Sequence, residues 1–171
     1  LTYVTSNLQK NGIELGSTSN NIVGGNTPNT RNIISGNEDY GLYLQSTTSA
    51  NTIKGNYIGT DKTGTSFVTT SSQNYGLYVL STSGGNTIGG NAIKGEGNLI
   101  SGNTDKGIFI SQSPATNTIT GNIIGPQADG KTAIVSSNQS DGIRLQMKTQ
   151  GQLIGGVASG LGNIIAFNTY G

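Results

Sequence analysis

The chain has 171 residues, and its 9 Lys+Arg against 8 Asp+Glu give a formal net charge of +1, with no His and no Cys. Without His and Cys, a zinc site of the usual kind, a thiol nucleophile, a Ser-His-Asp triad and a disulfide framework are excluded. There is no basic excess and no apolar run near the ~18 residues of a membrane span, so we expect no nucleic-acid partner and no membrane span.

Gly, Asn, Ser and Thr make up just over half of the chain, a bias that by itself could indicate disorder. Leu, Ile, Val and Phe nevertheless make up 39 of the 171 residues, about 23 %, which is above the roughly 20 % that marks disordered chains. Only 10 % of residues are charged, against about 25 % in an ordinary soluble domain. The chain can therefore fill a core, and it covers its surface with small polar residues.

A Gly-aliphatic-x-aliphatic motif recurs along the chain at spacings of 29, 35, 31 and 35 residues. Short and long units alternate, so that two units form a super-repeat. The five copies of the motif occupy residues 12–15, 41–44, 76–79, 107–110 and 142–145.

Two further apolar segments follow each motif. The first has the pattern Asn-x-Ile-x-Gly and occupies residues 21–25, 51–55, 86–90, 117–121 and 152–156, with some variation. The second has the pattern Asn-apolar-Ile and occupies residues 32–34, 56–58, 98–100, 122–124 and 163–165. Short β-branched segments bounded by Gly or Asn are typical of strands, and no helical periodicity competes with them.

Three strands per unit of about 30 residues predict a three-sided parallel β-solenoid, in which stacked coils bury the core together. Like residues then form columns along the axis. We expect three inward columns: Val23, Ile53, Ile88, Ile119 and Ile154; Ile34, Ile58, Ile100, Ile124 and Ile165; and the aliphatic pairs of the glycine motif.

Asparagine recurs at two corners of the predicted coil. Because a side-chain amide both donates and accepts hydrogen bonds, stacked Asn can satisfy buried corners and each other. We therefore predict two structural Asn ladders: Asn21, Asn51, Asn86 and Asn117; and Asn32, Asn56, Asn98, Asn122 and Asn163.

With these motifs the chain resembles right-handed parallel β-helix repeats of large secreted bacterial proteins, the scaffold of the pectate-lyase-like superfamily. The resemblance covers nearly all of residues 1–171 and implies one all-β domain, a right-handed parallel β-helix of about five coils, in an extracellular or cell-surface location. It says little about function, because polysaccharide lyases and hydrolases, phage tailspikes and non-catalytic surface proteins share this scaffold.

Neither end of the repeat shows a polar cap, and the chain begins without Met. Residues 163–171 fit the third strand and its turn, and residues 3–7 fit the same place in a preceding coil. We expect a segment of a longer solenoid or a stacking module. End-to-end self-association through uncapped coils is a possible partnership.

A candidate binding stripe runs along the outward face of the first strand in each unit: Glu14, Tyr43, Tyr78, Phe109 and Arg144. Three adjacent aromatic rings on a flat face can stack on sugar rings, which makes a glycan a possible partner. Ordinary cross-strand aromatic packing is the competing and stronger interpretation.

Alternation in the third strand points Ile33, Tyr57, Leu99, Ile123 and Ile164 outward. An exposed apolar stripe of this size would mark an interface. The long units carry extra segments, residues 59–75 and 125–141, with the pairs Phe67-Val68 and Ile134-Val135 at equivalent positions. We expect these loops to fold over the stripe, and the exposure of Leu99 decides between cover and interface.

Carboxylates do not cluster in the sequence as they would for catalysis. Asp39, Asp105 and Asp141 each precede a glycine motif, and no basic residue is evidently placed to complete a site with them. We therefore predict no catalytic residue, no metal and no cofactor, although an enzyme is not excluded. Asn138 begins a lone glycosylation sequon.

The expected function is that of a non-catalytic extracellular structural or adhesive module: a stalk, adhesin or filament subunit. The alternative is a carbohydrate-active β-helix, of the polysaccharide lyase or hydrolase type, or a glycan-binding module. A pair of carboxylates close together on an open face would favour the enzyme.

Overall fold

The computed structural model describes residues 9–68, 73–80, 84–137 and 139–170. In these residues the chain forms fifteen short strands and two 3₁₀ turns, at Pro28–Thr30 and Ala92–Lys94. The predictions for residues 3–7 and for Asn138 lie outside the described residues.

The strands assemble into three parallel sheets of five. The first sheet contains the glycine motifs: β1 (Asn11–Gly16), β4 (Tyr40–Gln45), β7 (Tyr75–Leu80), β10 (Lys106–Ser111) and β13 (Asp141–Gln146). The second contains β2 (Ile22–Gly24), β5 (Thr52–Lys54), β8 (Thr87–Gly89), β11 (Thr118–Thr120) and β14 (Leu153–Ile154). The third contains β3 (Ile33–Ile34), β6 (Tyr57–Ile58), β9 (Leu99–Ile100), β12 (Ile123–Ile124) and β15 (Ile164–Ile165).

Successive strands visit the three sheets in turn, so the chain winds into a β-solenoid of about four turns. We number the coils 1 to 5, with coil 1 running from β1 to β3. Equivalent residues of neighbouring coils pair directly, for example Leu42 with Leu77 and Ile53 with Ile88. The predicted parallel β-helix is therefore confirmed, together with the register of its columns.

The core is the set of inward columns. Their members in coils 2 to 4, such as Ile53, Ile88 and Ile119, are 0 % exposed. In coil 5 the equivalent Ile154 and Ile165 are 44 % and 46 % exposed, because no described coil lies beyond them. Burial here depends on having a coil on each side, as expected of a solenoid.

The glycine of the repeated motif is required by close packing at the start of each first-sheet strand. A Cβ added to Gly76 would lie 2.5 Å from Ile100 Cγ2 and 2.7 Å from the Gly107 carbonyl oxygen. Any side chain at this position would therefore push the strand away from the next coil.

The first Asn column connects the coils between the first and second sheets. Each side-chain oxygen accepts two hydrogen bonds from the preceding coil, one from the backbone N–H and one from the side-chain amide of its predecessor. For Asn86 Oδ1 both bonds from Asn51 are 3.0 Å long. In coil 5 Gln152 takes the position of Asn and accepts both bonds from Asn117 at 3.0 Å, although the sequence pattern ended the column at Asn117.

The second Asn column stands at the corner between the second and third sheets and runs through all five coils. Asn98 Oδ1 accepts from Asn56 N and Nδ2 at 3.0 and 3.1 Å, and Asn122 Oδ1 accepts from Asn98 at 3.1 and 3.0 Å. Asn98 Nδ2 also donates to the Ile53 carbonyl oxygen at 2.8 Å. Asn98 is 1 % exposed, so these bonds satisfy polar groups that water does not reach.

A third amide ladder, which the sequence analysis missed, stands at the corner between the third and first sheets. Asn and Gln alternate along it: Asn37, Gln73, Asn103, Gln139 and Asn168, joined by single bonds of 2.7 to 2.9 Å. The Gln residues belong to the coils with long loops. The signal was present, because each of the first four amides lies three or four residues before a glycine motif.

The long loops cover the middle of the outward stripe of the third sheet, as predicted, whereas Ile33 and Ile164 at its ends are 43 % and 44 % exposed. Leu99 is only 2 % exposed, and a Cβ added to Gly64 would lie 2.8 Å from both Leu99 Cδ2 and Tyr57 Cε2. The predicted equivalence of Phe67-Val68 with Ile134-Val135 is wrong by one residue. Ala133 occupies the position equivalent to Phe67, and Val135 is 81 % exposed.

Insertions alternate between two corners of the solenoid. Coils 1, 3 and 5 carry them between the second and third sheets, and coils 2 and 4 carry them between the third and first sheets. Loops two coils apart touch: Ala92 N donates to Gly160 O at 2.8 Å, and Ala128 N donates to Gly64 O at 2.9 Å. Each insertion therefore fills about two strand spacings, roughly 9.6 Å, which explains why short and long units alternate.

The second Asn ladder predicts how a substitution at its central residue, Asn98, changes the stability of the protein. Asn98→Ala removes the acceptor of two bonds from Asn56 and leaves buried groups unpaired, so we expect a loss of about 1–3 kcal/mol in the free energy of unfolding. Urea unfolding measures it. Asn29→Ala, at an exposed turn residue, is the matched control and should change stability by less than about 0.5 kcal/mol. Equal effects of the two substitutions would contradict a stabilising role for the ladder.

Candidate functional site

The outward face of the first sheet carries five aromatic rings in two adjacent columns. We call them the aromatic face: Tyr40, Tyr43, Tyr75, Tyr78 and Phe109. All five side chains are half-buried. The predicted stripe contained three of them and missed Tyr40 and Tyr75, which lie just before the glycine of the motif and form the second column.

The rings stack on each other along the solenoid axis. Tyr43 and Tyr78 have centroids 5.3 Å apart with planes at 20°, and Tyr78 and Phe109 have centroids 4.9 Å apart at 21°. In the second column Tyr40 and Tyr75 are 5.5 Å apart at 29°. The ring faces are therefore turned toward neighbouring rings. A sugar that stacks on an aromatic face needs that face free, so this geometry favours cross-strand packing over carbohydrate stacking.

The phenol groups on this face remain neutral. Burial and then the adjacent phenols raise the pKa of Tyr78 above its usual value. Burial, followed by the charge and hydrogen bond of Asp105, raises the pKa of Tyr75. These hydroxyls are accordingly hydrogen-bonding groups and not phenolate bases at neutral pH.

Charged residues lie at the end of the aromatic face that is nearer to coil 5. Lys106 follows Tyr40 and Tyr75 in their column, and its Nζ lies 2.6 Å from Asp105 Oδ2 and 3.9 Å from Asp141 Oδ2. The expectation that no basic residue is placed beside these aspartates is therefore wrong. The cause is local: Lys106 directly precedes a glycine, and that position points to the outward face next to both carboxylates.

The two carboxylates meet the distance condition for a catalytic pair. Both contact one ammonium group, so they are closer than about 9.5 Å, the upper limit for paired carboxylates of glycoside hydrolases. Their chemistry does not fit. Burial raises the pKa of Asp105, but hydrogen bonds from Lys106 and Ser140 and the Lys106 charge outweigh it and leave that pKa below its ordinary value. A general acid needs the opposite shift.

Glu14 and Arg144 stand at opposite ends of the predicted stripe and do not meet. Glu14 is exposed and accepts hydrogen bonds from Asn11 Nδ2, at 2.9 Å, and from Gln45 Nε2. Arg144 is exposed in coil 5, with its NH1 3.5 Å from Asp141 Oδ2. Exposed pairs of this kind contribute little to stability.

No group of three or more potential metal-ligating side chains is found among residues 9–68, 73–80, 84–137 and 139–170. Within the same residues, no helix has the length and apolar character needed to cross a membrane.

In comparisons with known proteins, no protein-family model, no curated protein and no solved structure matches the chain.

The stacking of Tyr43 on Tyr78 predicts a favourable coupling energy between the two rings in a double-mutant cycle. Tyr43→Leu and Tyr78→Leu together should lose less stability than the two single changes added, with a coupling of about 0.5–1.5 kcal/mol, because each ring stabilises the other. Urea unfolding of the four proteins measures it. Tyr170→Leu combined with Tyr78→Leu is the control pair, because Tyr170 is 71 % exposed and is not part of the stack. Zero coupling between positions 43 and 78 would show that stacking contributes nothing.

The lowered pKa of Asp105 makes a prediction about pH. Its charged form is favoured in the folded state, so its contribution to stability is full above the unfolded value, about 3.9, and is lost as the pH falls through the lower folded value. Asp105→Asn should therefore destabilise the protein in urea at pH 7, and the difference from the unchanged protein should shrink below about pH 4. Glu38→Gln, on an exposed turn, controls for the removal of a carboxylate. A difference that is constant with pH would contradict the assignment.

Proposed function

We propose that the chain is a non-catalytic structural or adhesive module of a secreted or surface-anchored bacterial protein, built as a right-handed parallel β-helix of the pectate-lyase-like type. It serves as a stalk that holds other parts of an assembly apart. One observation carries the proposal: polar and aromatic side chains stack on side chains of the same kind in neighbouring coils. These groups therefore contact the next coil instead of a ligand.

The polar interior supports this function. Three amide ladders join each coil to the next, and the outward rings join coils 2 to 4 on the surface. The same polar contacts therefore recur at every junction between coils. Such uniform coupling between nearest neighbours is the property that a rigid spacer needs.

The charged end of the aromatic face supports a non-catalytic role as well. The Asp105–Asp141 pair is neutralised by Lys106 and Arg144, and the lowered pKa of Asp105 makes it a poor proton donor. A hydrolase of the two-carboxylate type depends on a donor with a raised pKa.

Glycan binding is the second candidate, and one observation favours it. Four tyrosine side chains and the half-exposed guanidinium of Arg144 share one face, which suits hydroxyl and carboxylate groups of an acidic sugar. Retention on an immobilised acidic polysaccharide that is lost in Arg144→Gln would support this candidate.

End-to-end self-association stays a prediction. The half-exposed Ile154 and Ile165 of coil 5 favour it, as do the opposite charges of Glu14 and Arg144 at the two ends of one column. The inserted loops limit end-to-end contact between copies. Coil 5 of one copy would meet coil 1 of the next, and both coils carry insertions at the corner between the second and third sheets. Because such insertions pack two coils apart, coil 5 is better suited to a coil whose insertion lies at the other corner.

Single-molecule force spectroscopy tests the stalk. When a chain with handles at both ends is pulled, we expect resisted, stepwise extension of about 100–120 Å per coil, because each unit has 29–35 residues. Asn98→Ala should lower the force of the steps, and Asn29→Ala should not.

Two results would contradict the stalk. The first is extension without force peaks. The second is turnover of an acidic polysaccharide that Asp105→Asn abolishes while the fold is retained.

A further inference from the structure

A groove runs along the outward side of the third sheet, between the two rows of loops. It has a volume of about 210 Å³. Its floor is apolar and consists of the outward side chains of four successive strands: Tyr57, Leu99, Ile123 and Ile164. Arg31, just before β3, extends its guanidinium over Tyr57 of coil 2, so the groove runs from coil 2 to coil 5, about 14 Å along the solenoid axis at the usual strand spacing.

The walls of the groove are made of residues with very small side chains. Gly97, Gly121 and Gly162 form one wall, and Ala128 of a covering loop stands on the other. Gly97 and Gly121 cannot be enlarged, because an added Cβ would meet the carbonyl oxygens of Gly121 and Gly90, respectively. The volume is below the 300–1,000 Å³ of ordinary ligand pockets. A long, narrow groove of this kind fits one unbranched chain better than a ring system.

The groove offers few free hydrogen-bonding groups. Asn98 and Asn122 line it, but their side-chain amides are already bonded within the second Asn ladder. A ligand rich in hydroxyl groups would lose its bonds to water here and gain few in return. This argues against a sugar in the groove and for an alkyl chain.

The positive charge of Arg31 at one end of the groove indicates which head group a ligand would carry. Arg31 is the one charged residue among the described residues that line it. Its guanidinium lies 3.9 Å from the centroid of the Tyr57 ring, and its Nε donates to the Gly55 carbonyl oxygen at 3.3 Å. No ion pair involves Arg31 in the described part of the chain. A planar guanidinium without an anion, held beside an apolar floor, suits a carboxylate.

We propose that this groove binds a single free fatty acid of medium length. The carboxylate pairs with Arg31, and the alkyl chain lies along Ile123 and Ile164, the floor residues that the loops leave accessible. The site lies on a different sheet from the aromatic face and does not depend on the stalk function.

Methyl NMR of the full chain tests the proposal, with decanoate as the probe below its micellar concentration. We expect the methyl signals of Ile123 and Ile164 to shift in a saturable manner, while the core methyls of Ile53 and Ile88 stay unchanged. 1-Decanol, which has the same chain without the charge, should bind at least tenfold more weakly.

Three variants check the role of each part. Arg31→Gln should weaken decanoate binding about tenfold and leave 1-decanol binding unchanged, and Ala92→Phe should block both ligands because Ala92 lines the groove. Lys62→Gln, at an exposed cation outside the groove, should change neither. Circular dichroism confirms that each variant is folded.

Absence of methyl shifts with decanoate, or equal decanoate affinity in Arg31→Gln, overturns the proposal. Shifts of the same methyls by trigalacturonate without any by decanoate also overturn it, in favour of an acidic sugar.

Discussion

Stacking of identical side chains at the spacing of parallel strands is the constraint on which the rest of this structure depends. Each residue sits directly above its equivalent in the next coil, about 4.8 Å away. At that distance Asn98 accepts hydrogen bonds from the backbone and side chain of Asn56 and donates one to the Ile53 carbonyl oxygen, all in the preceding coil. Charged residues cannot be repeated in this way without repulsion. The small share of charged residues, 10 %, follows from the same constraint.

The two rows of loops are a consequence of that spacing. An insertion that is two strands wide can leave a given corner only at every second coil, so the chain alternates between the two corners. The rows then bound the third sheet on both sides. One row folds over Leu99 and Tyr57, and the space that remains between the rows is the groove beside Arg31. Stacking within the solenoid thus decides where its surface is covered and where it is open.

The aromatic face and the groove divide the surface into two chemically different parts. On the first sheet, the aromatic rings stack on one another and the charged groups form ion pairs. The lowered pKa of Asp105 keeps its carboxylate charged. On the third sheet, an unpaired guanidinium stands beside an aliphatic floor. The first arrangement favours cohesion of the rod, and the second favours a ligand.

The sequence by itself determined the fold, because like residues must stack in a solenoid and the repeat shows which residues are alike. The three sheets, the inward columns and the two Asn ladders could all be read from spacing. The repeat did not reveal columns whose residue type changes from coil to coil. Lys106 contacts Asp141 of the next coil, Gln73 alternates with Asn residues in the third ladder, and Tyr40 and Tyr75 complete the aromatic face. These contacts are visible only in the folded chain, since side chains of different length converge at distances that residue numbers do not encode.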